Sequence, residues 1–318
     1  MAYPDLEHRA FTLREPWHVR PTADGHLDAV GPGGVQVRFA LQTTPAPCLK
    51  GPLTDGLAPD TAVNASIAAL EAVLVREPAR DHIHFDSNGD ARLRQTLRAM
   101  GVVVTDLDQG DIVRAAMLWQ RPEPWLPADK SVGAFPFVPQ MTQGRRHPQR
   151  APKPTGTVYA RHIPWLGQTL SFEVADPDRH LDRFHKWMND PRVAAFFEEE
   201  GDLAYHRDYL ENLTADPGML PLIGCFDGAP FAYFEIYWAK ESRLGPYYDA
   251  DDYDRGWHVL VGEDAYRGKE YLAAWLPSLT HFMLLDEPRT HRIVGEPAAT
   301  HHQQIRNLQR SGFAHVKT

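Results

Sequence analysis

The stretch from Asp254 to Leu272, Asp-Arg-Gly-Trp-His-Val-Leu-Val-Gly-Glu-Asp-Ala-Tyr-Arg-Gly-Lys-Glu-Tyr-Leu, reads as a strand, a short basic turn and the start of a helix. That order constrains the chain strongly. The first N–H groups of a helix have no partner inside it and carry the positive end of its dipole. A strand that delivers Arg267, Gly268 and Lys269 to a helix start therefore builds a seat for an anion such as a pyrophosphate. His258 lies on the strand before that seat. An Arg-Gly-Lys turn is also what an ordinary solvated helix start looks like, so the reading needs support from elsewhere in the chain.

Support comes first from His301-His-Gln-Gln-Ile-Arg-Asn-Leu-Gln-Arg-Ser-Gly-Phe313, a helix whose apolar Ile305 and Leu308 are three apart and which stops at Gly312. Further blocks are Trp187-Met-Asn-Asp-Pro-Arg-Val193, Pro221-Leu-Ile-Gly-Cys-Phe-Asp227, Tyr233-Phe-Glu-Ile-Tyr-Trp238 and Leu285-Asp-Glu-Pro-Arg-Thr290. Together with the stretch around His258, these blocks resemble the GNAT superfamily of acetyl-CoA-dependent acyltransferases. Within it they are most similar to the hydroxamate-siderophore acyltransferases of the aerobactin type, over a span from about Leu170 to Lys317. Ile305 and Arg306 match the superfamily's closing helix, while His301 stands where that helix usually has Asn and Leu308 where many members keep a general-acid Tyr. Glu270 and Leu272 replace the small residues of the usual pyrophosphate turn, a departure the siderophore branch shares.

The resemblance implies an α+β chain. Its C-terminal part would be a GNAT-like fold, a mixed, mostly antiparallel sheet flanked by helices, and its N-terminal part a smaller mixed α/β domain. It implies acetyl-CoA or another acyl-CoA as donor, with no metal, and a small-molecule hydroxylamine as acceptor. His258 is the implied catalytic base, and an ordinary histidine pKa suffices because a hydroxylamine is mostly uncharged near neutral pH. Glu296, at a strand end before Pro297, would orient the imidazole or bind the acceptor hydroxyl. A backbone N–H near Leu260 or Val261 would polarise the thioester oxygen. Arg267, Gly268, Lys269 and less directly Arg306 would serve the pyrophosphate. Asn189, Arg192, Glu235, Tyr237 and Trp257 would line the acceptor pocket, with Arg192 suited to a carboxylate and the run Glu198-Glu-Glu200 to an ammonium. Each has a plainer reading: a core histidine for His258, a charge at a helix start for Glu296, a solvated helix end for Glu198–Glu200.

The rest of the chain bounds the answer. Two cysteines, Cys48 and Cys225, cannot form a disulfide framework, and no apolar run follows the N-terminus, so a cytoplasmic protein is expected. A net charge of −9 argues against nonspecific nucleic-acid binding, and no run of eighteen apolar residues is present to span a membrane. The Pro-rich basic stretch 142–156 reads as a linker between an N-terminal domain, 1–141, and the acyltransferase domain, 157–318. In the first half, 62–75 and 92–100 have helical spacing, and 101–104 and 111–119 read as strands. His82, His84 and Asp86 share one strand face at a spacing a metal could use, but no further ligands cluster nearby. After the linker, 169–174 reads as a strand, 178–188 as a helix capped by Asp176 with Pro177 at its first position, and 189–213 as a loop and a second helix. Asp227-Gly228 marks a hairpin between strands 220–226 and 230–238.

Three functions fit: a hydroxylamine acyltransferase, a plain amine acetyltransferase, and a noncatalytic acyl-CoA-binding module that docks a siderophore hydroxylase or synthetase. The sequence leaves oligomeric state open. The family continues past the position of Thr318 with a turn and a strand, so a continuation of the natural chain is expected.

Overall fold

The computed structural model describes residues 7–10, 16–43, 46–127 and 134–317, so residues 1–6 and the expected continuation past Thr318 lie outside the described residues. Two compact units divide the chain. One takes Met1–Lys130 and Ala160–Thr169, the other Ser131–Tyr159 and Leu170–Thr318.

The first unit contains β1 (His8–Ala10), β2 (Trp17–Pro21), β3 (His26–Val30), β4 (Gln36–Gln42), β5 (Cys48–Lys50), α1 (Pro59–Arg76), β6 (His82–Asp86), α2 (Ala91–Ala99), β7 (Val104–Asp106), β8 (Gly110–Arg114) and the short α3 (Ala115–Leu118). Its eight strands form one sheet in the order β1-β2-β3-β4-β5-β6-β8-β7, antiparallel except where β5 meets β6. Small residues on α1, Ala65, Ala68, Ala69 and Ala72, are fully buried and let that helix lie close against the strands. The expected strand 111–119 ends at Arg114, because Ala115-Ala-Met-Leu118 carries no β-branched residue and turns into helix. Only Val104 of the expected strand 101–104 is in a strand. His82, His84 and Asp86 do share a face of β6, and no group of metal-ligating side chains is found among the described residues.

The second unit opens with a hairpin, β9 (Pro139–Thr142) and β10 (Arg145–Pro148), which begins just before the stretch 142–156 read as a linker and runs into it. That stretch is tied down: Arg145 Nη1 donates to the Glu241 carbonyl at 2.6 Å, and the guanidinium of buried Arg150 pairs with Glu241 and lies 4.0 Å over the Trp238 ring. Along the chain there follow β11 (Thr157–Ile163) and β12 (Gln168–Val174), whose residues within Ala160–Thr169 count with the first unit, and then α4 (Pro177–Met188), α5 (Pro191–Phe197), α6 (Leu203–Ala215), β13 (Met219–Phe226), β14 (Ala229–Trp238), β15 (Arg255–Val261), α7 (Lys269–Asp286), β16 (Ile293–Val294) and α8 (His302–Arg310). The six strands make a sheet in the order β11-β12-β13-β14-β15-β16; β12 to β15 pair antiparallel and β16 joins β15 parallel.

Local chemistry explains these elements. Asp176, Asp190 and Asp202 each accept a first-turn N–H and cap α4, α5 and α6. Asp227 and Gly228 both take positive φ, 47° and 78°, the two-residue turn that matches strand twist. Alternation then sorts the strands' side chains. Phe172 and Phe234 face Phe282 and Trp275 of α7, while Tyr233 faces Phe184 of α4 on the other side of the sheet. The residues after Asn189 build two helices, α5 and α6, where one was expected, since Glu198 closes α5 in a left-handed conformation.

Candidate active site

Tyr233, Glu235 and Tyr237 occupy every second position of β14 and so line one face of an otherwise apolar strand. Glu235 is 3% exposed and stands opposite His258 of β15. A carboxylate so deep in the fold needs several partners. It has them: Tyr209 donates to Oε1 at 2.7 Å, Tyr233 donates to the same oxygen at 3.1 Å, and His258 Nδ1 meets Oε2 at 2.8 Å. The other ring nitrogen, His258 Nε2, lies 3.1 Å from Glu296 Oε1, and the Tyr237 hydroxyl donates to Glu296 Oε2. One chain of hydrogen bonds thus runs from buried tyrosines through Glu235 and His258 to Glu296.

The two carboxylates reset the imidazole. Burial by itself would favour the neutral ring, but hydrogen bonds and charge from Glu235 and Glu296 outweigh it and raise the His258 pKa to about 9. An ordinary histidine pKa would suffice for the chemistry, but this ring is shifted, and sequence does not show how many carboxylates converge on one ring. Burial pushes the Glu296 carboxyl up, yet the hydrogen bonds from His258 and Tyr237 prevail and hold it below its usual value. Near neutral pH the pair is an imidazolium beside a carboxylate. Tyr237 is pushed well above the ordinary phenol value, first by burial and then by Glu296, and stays a hydrogen-bond donor.

This strand also has an open edge. Arg255 N–H bonds the Arg292 carbonyl at 3.1 Å, and Gly262 N–H bonds the Phe231 carbonyl of β14 at 2.9 Å. Alternation between those two points directs the amides of Trp257, Val259 and Val261 away from β14. Only Arg255 and Gly256 pair with β16, so the amides of Val259 and Val261 face a gap where no strand pairs with β15. An extended acyl-thioester arm laid in that gap would find backbone donors close to His258. Beyond Val261, a 3-10 turn at Asp264–Tyr266 leads to Gly268, whose φ of 141° suits glycine, and then to α7. The α7 start presents the unbonded first-turn amides and an exposed Lys269. Glu270 in the same turn opposes an anion, so the basic side chains matter more here than in a neutral turn.

Comparison with known proteins gives the family. Residues 176–318 match the model of an acetyltransferase (GNAT) domain. The chain is 43% identical to an N(6)-hydroxylysine O-acetyltransferase of Escherichia coli, over 78% of this chain and 77% of that protein. The chain belongs to the GNAT hydroxamate-siderophore acyltransferases. It is also 48% identical to an N(5)-hydroxyornithine:cis-anhydromevalonyl coenzyme A-N(5)-transacylase of Beauveria bassiana and 46% identical to a hydroxyornithine transacylase of Ajellomyces capsulatus. Those two matches cover 52% and 49% of this chain but only 37% and 36% of the longer fungal proteins.

The acyltransferase brings some candidate residues together and separates others. His258, Glu235, Tyr237 and Glu296 form one centre. Trp257 does not join them: as the neighbour of His258 it points to the opposite face and packs edge-on against Trp275 of α7, 6.0 Å between rings. Leu260 pairs with Tyr233 in the sheet, so its amide points into β14, and of the two expected oxyanion donors only Val261 faces the gap. Arg192 is already engaged: Nε donates to Asp190 Oδ1 at 3.0 Å and Nη1 to Asp264 Oδ1 at 2.5 Å, which places its guanidinium at the basic turn. Asn189 clasps the loop, with Nδ2 donating to the carbonyls of His185 and Gly201 at 3.2 and 3.0 Å. Arg267 Nη2 donates to the Val261 carbonyl at 2.7 Å and braces the end of β15, while Arg306 is exposed and bonded to Gln303. In the acidic run, Glu199 accepts from Tyr205.

Sequence reading passed over Tyr209, Tyr233 and Glu263. The first two were detectable in principle, since hydroxyls in apolar runs need a buried acceptor. Glu263 ties the end of β15 to α4 by accepting from Trp187 Nε1 at 3.0 Å and Lys186 Nζ at 3.2 Å. Gly262 has to be glycine, because a Cβ there would lie 2.3 Å from the Trp187 ring. Among the described residues no helix is long and apolar enough to cross a membrane.

Proposed function

We propose that this acyltransferase moves an acetyl group from acetyl-CoA, or a related acyl group from its thioester, to the side-chain nitrogen of N-hydroxylysine or a close analogue, giving a hydroxamate. The observation that carries the reading is the Glu235–His258–Glu296 relay, whose central His258 lies on the strand with the open far edge. The names of the bacterial and fungal relatives support a hydroxylated basic amino acid as acceptor.

The two pKa shifts run in opposite directions and assign the roles. Glu296, held ionised, takes the proton that the hydroxylamine nitrogen loses as its lone pair attacks the thioester carbonyl carbon. His258, at about 9, is close to the roughly 8.5 of a thiol and gives its proton to the sulfur as the carbon–sulfur bond breaks. The Nε2 to Oε1 hydrogen bond then passes the proton from Glu296 back to His258, so the site ends as it began. Glu235 and its two tyrosines hold the ring in place and keep it charged. The Val261 amide stabilises the oxyanion, and Lys269 with the α7 amides seats the pyrophosphate.

The test is thiol release from acetyl-CoA with N-hydroxylysine beside lysine, combined with ferric-complex absorbance of the product. A preference for the hydroxylated acceptor and a coloured ferric hydroxamate support the reading. Preference without colour would mean acylation on oxygen, as the name of the bacterial relative states. Equal rates with lysine would indicate a plain amine acetyltransferase, and no release with any acceptor while coenzyme A binds would indicate a binding module.

A further inference from the structure

An amino-acid acceptor brings a carboxylate to the site, and something must receive it. With Arg192 held by Asp190 and Asp264, a cation that does reach the reacting centre is Arg243, in the loop between β14 and β15. Its Nη2 lies 3.5 Å from Glu296 Oε1, the same oxygen that meets His258 Nε2 at 3.1 Å. The side chain is 76% exposed, so its pairing with Glu296 is weakly held and the guanidinium is free to turn toward a ligand. The loop beneath it is fixed. Arg145 donates to the carbonyls of Glu241 and Ser242, Arg150 pairs with the Glu241 carboxylate, and the Ser242 hydroxyl donates to the Ala239 carbonyl at 2.9 Å. Arg243 therefore projects from a braced backbone, which lowers the entropy lost when it engages a ligand.

Distance favours the same assignment. Laid end to end, the two contacts through Glu296 put Arg243 within about 7 Å of His258 Nε2, and an extended chain of six single bonds, the span from side-chain nitrogen to carboxyl carbon in a lysine skeleton, also covers about 7 Å. We infer that Arg243 is the residue that reads the acceptor's α-carboxylate, and so makes this enzyme choose hydroxylated amino acids over hydroxylated diamines. The inference rests on the proposed hydroxylamine acceptor. When the acceptor binds, the carboxylate takes the guanidinium in a forked pair, and Glu296 is released from Arg243 at the moment it is needed as a base.

The experiment compares kcat/KM for N-hydroxylysine and N-hydroxycadaverine, which differ by that carboxylate, in the wild type, Arg243→Gln, Arg243→Lys and Arg192→Gln. Arg243→Gln is expected to lower the ratio of the two values about tenfold or more, through KM for N-hydroxylysine, with Arg243→Lys recovering part of it. Equal losses with both acceptors would show Arg243 acting only through Glu296 and would overturn the inference. So would an unmoved ratio, or one that moves with Arg192→Gln instead. If the wild type acylates no hydroxylamine at all, the proposed function falls and this assignment with it; if it acylates N-hydroxylysine and the ratio holds, only Arg243 is misassigned.

Discussion

Replacing Glu235 by Gln tests the acid role of His258 directly. The carboxylate is 3% exposed and 2.8 Å from Nδ1, and an amide of nearly the same shape keeps the packing while removing the charge. Burial pulls His258 down and the two carboxylates together bring it up to about 9. Taking away one of them is expected to lower the ring by about 1–2 units, worth about 1.4–2.7 kcal/mol. Because His258 is proposed to work protonated, kcat/KM should fall as pH rises through its pKa. The alkaline limb, near pH 9 in the wild type, should move to about pH 7–8 in Glu235→Gln, and well above pH 9 the variant should be roughly tenfold or more slower than the wild type. The assay is thiol release with N-hydroxylysine from about pH 6 to 10, read with a thiol-reactive chromophore. The acid limb is shared with the acceptor's own ammonium and says little. A wild-type profile that climbs through pH 9 would show His258 acting as a neutral base, and an alkaline limb that stays in place in the variant would show that Glu235 does not set the charge of the ring.

Other outcomes follow from the same geometry. His258→Ala should lose about 10²–10⁴ in kcat while calorimetry shows acyl-CoA binding retained, since the ring touches the reacting centre and not the anion seat. Gly256→Ala should cost about 1–3 kcal/mol in denaturant unfolding and also depress kcat, because the new Cβ would lie 2.2 Å from the Tyr237 ring and push that hydroxyl off Glu296. Lys269→Ala should raise KM for acyl-CoA about tenfold at low salt and less at high salt, as a screened charge contact with pyrophosphate requires.

Several parts of this protein were fully legible in its residues. Asp176-Pro177 and Asp227-Gly228 act on backbone within a few positions of themselves, so that helix start and the hairpin turn need no tertiary context. The strand, turn and helix around His258 is likewise local, and so is the α+β pattern of the C-terminal unit. Whatever depends on chain segments meeting at a distance was decided only by the fold. Glu296 reaches His258 from the other side of α7, and Tyr209 reaches Glu235 from α6. The charge on the imidazole is the sum of those meetings, which is why the sequence, which asked no more of His258 than an ordinary pKa, did not disclose its shift. Trp257 and Arg192 had suitable chemistry at suitable positions, but strand alternation turned one toward α7 and two aspartates engaged the other. The basic stretch 142–156 has the composition of a solvated linker, and it is drawn into the unit because distant partners receive it, Glu241 above all, whose charge makes burying Arg150 tolerable. Local propensity and capping are properties of short peptides; ion pairing, burial and pKa belong to the assembled unit.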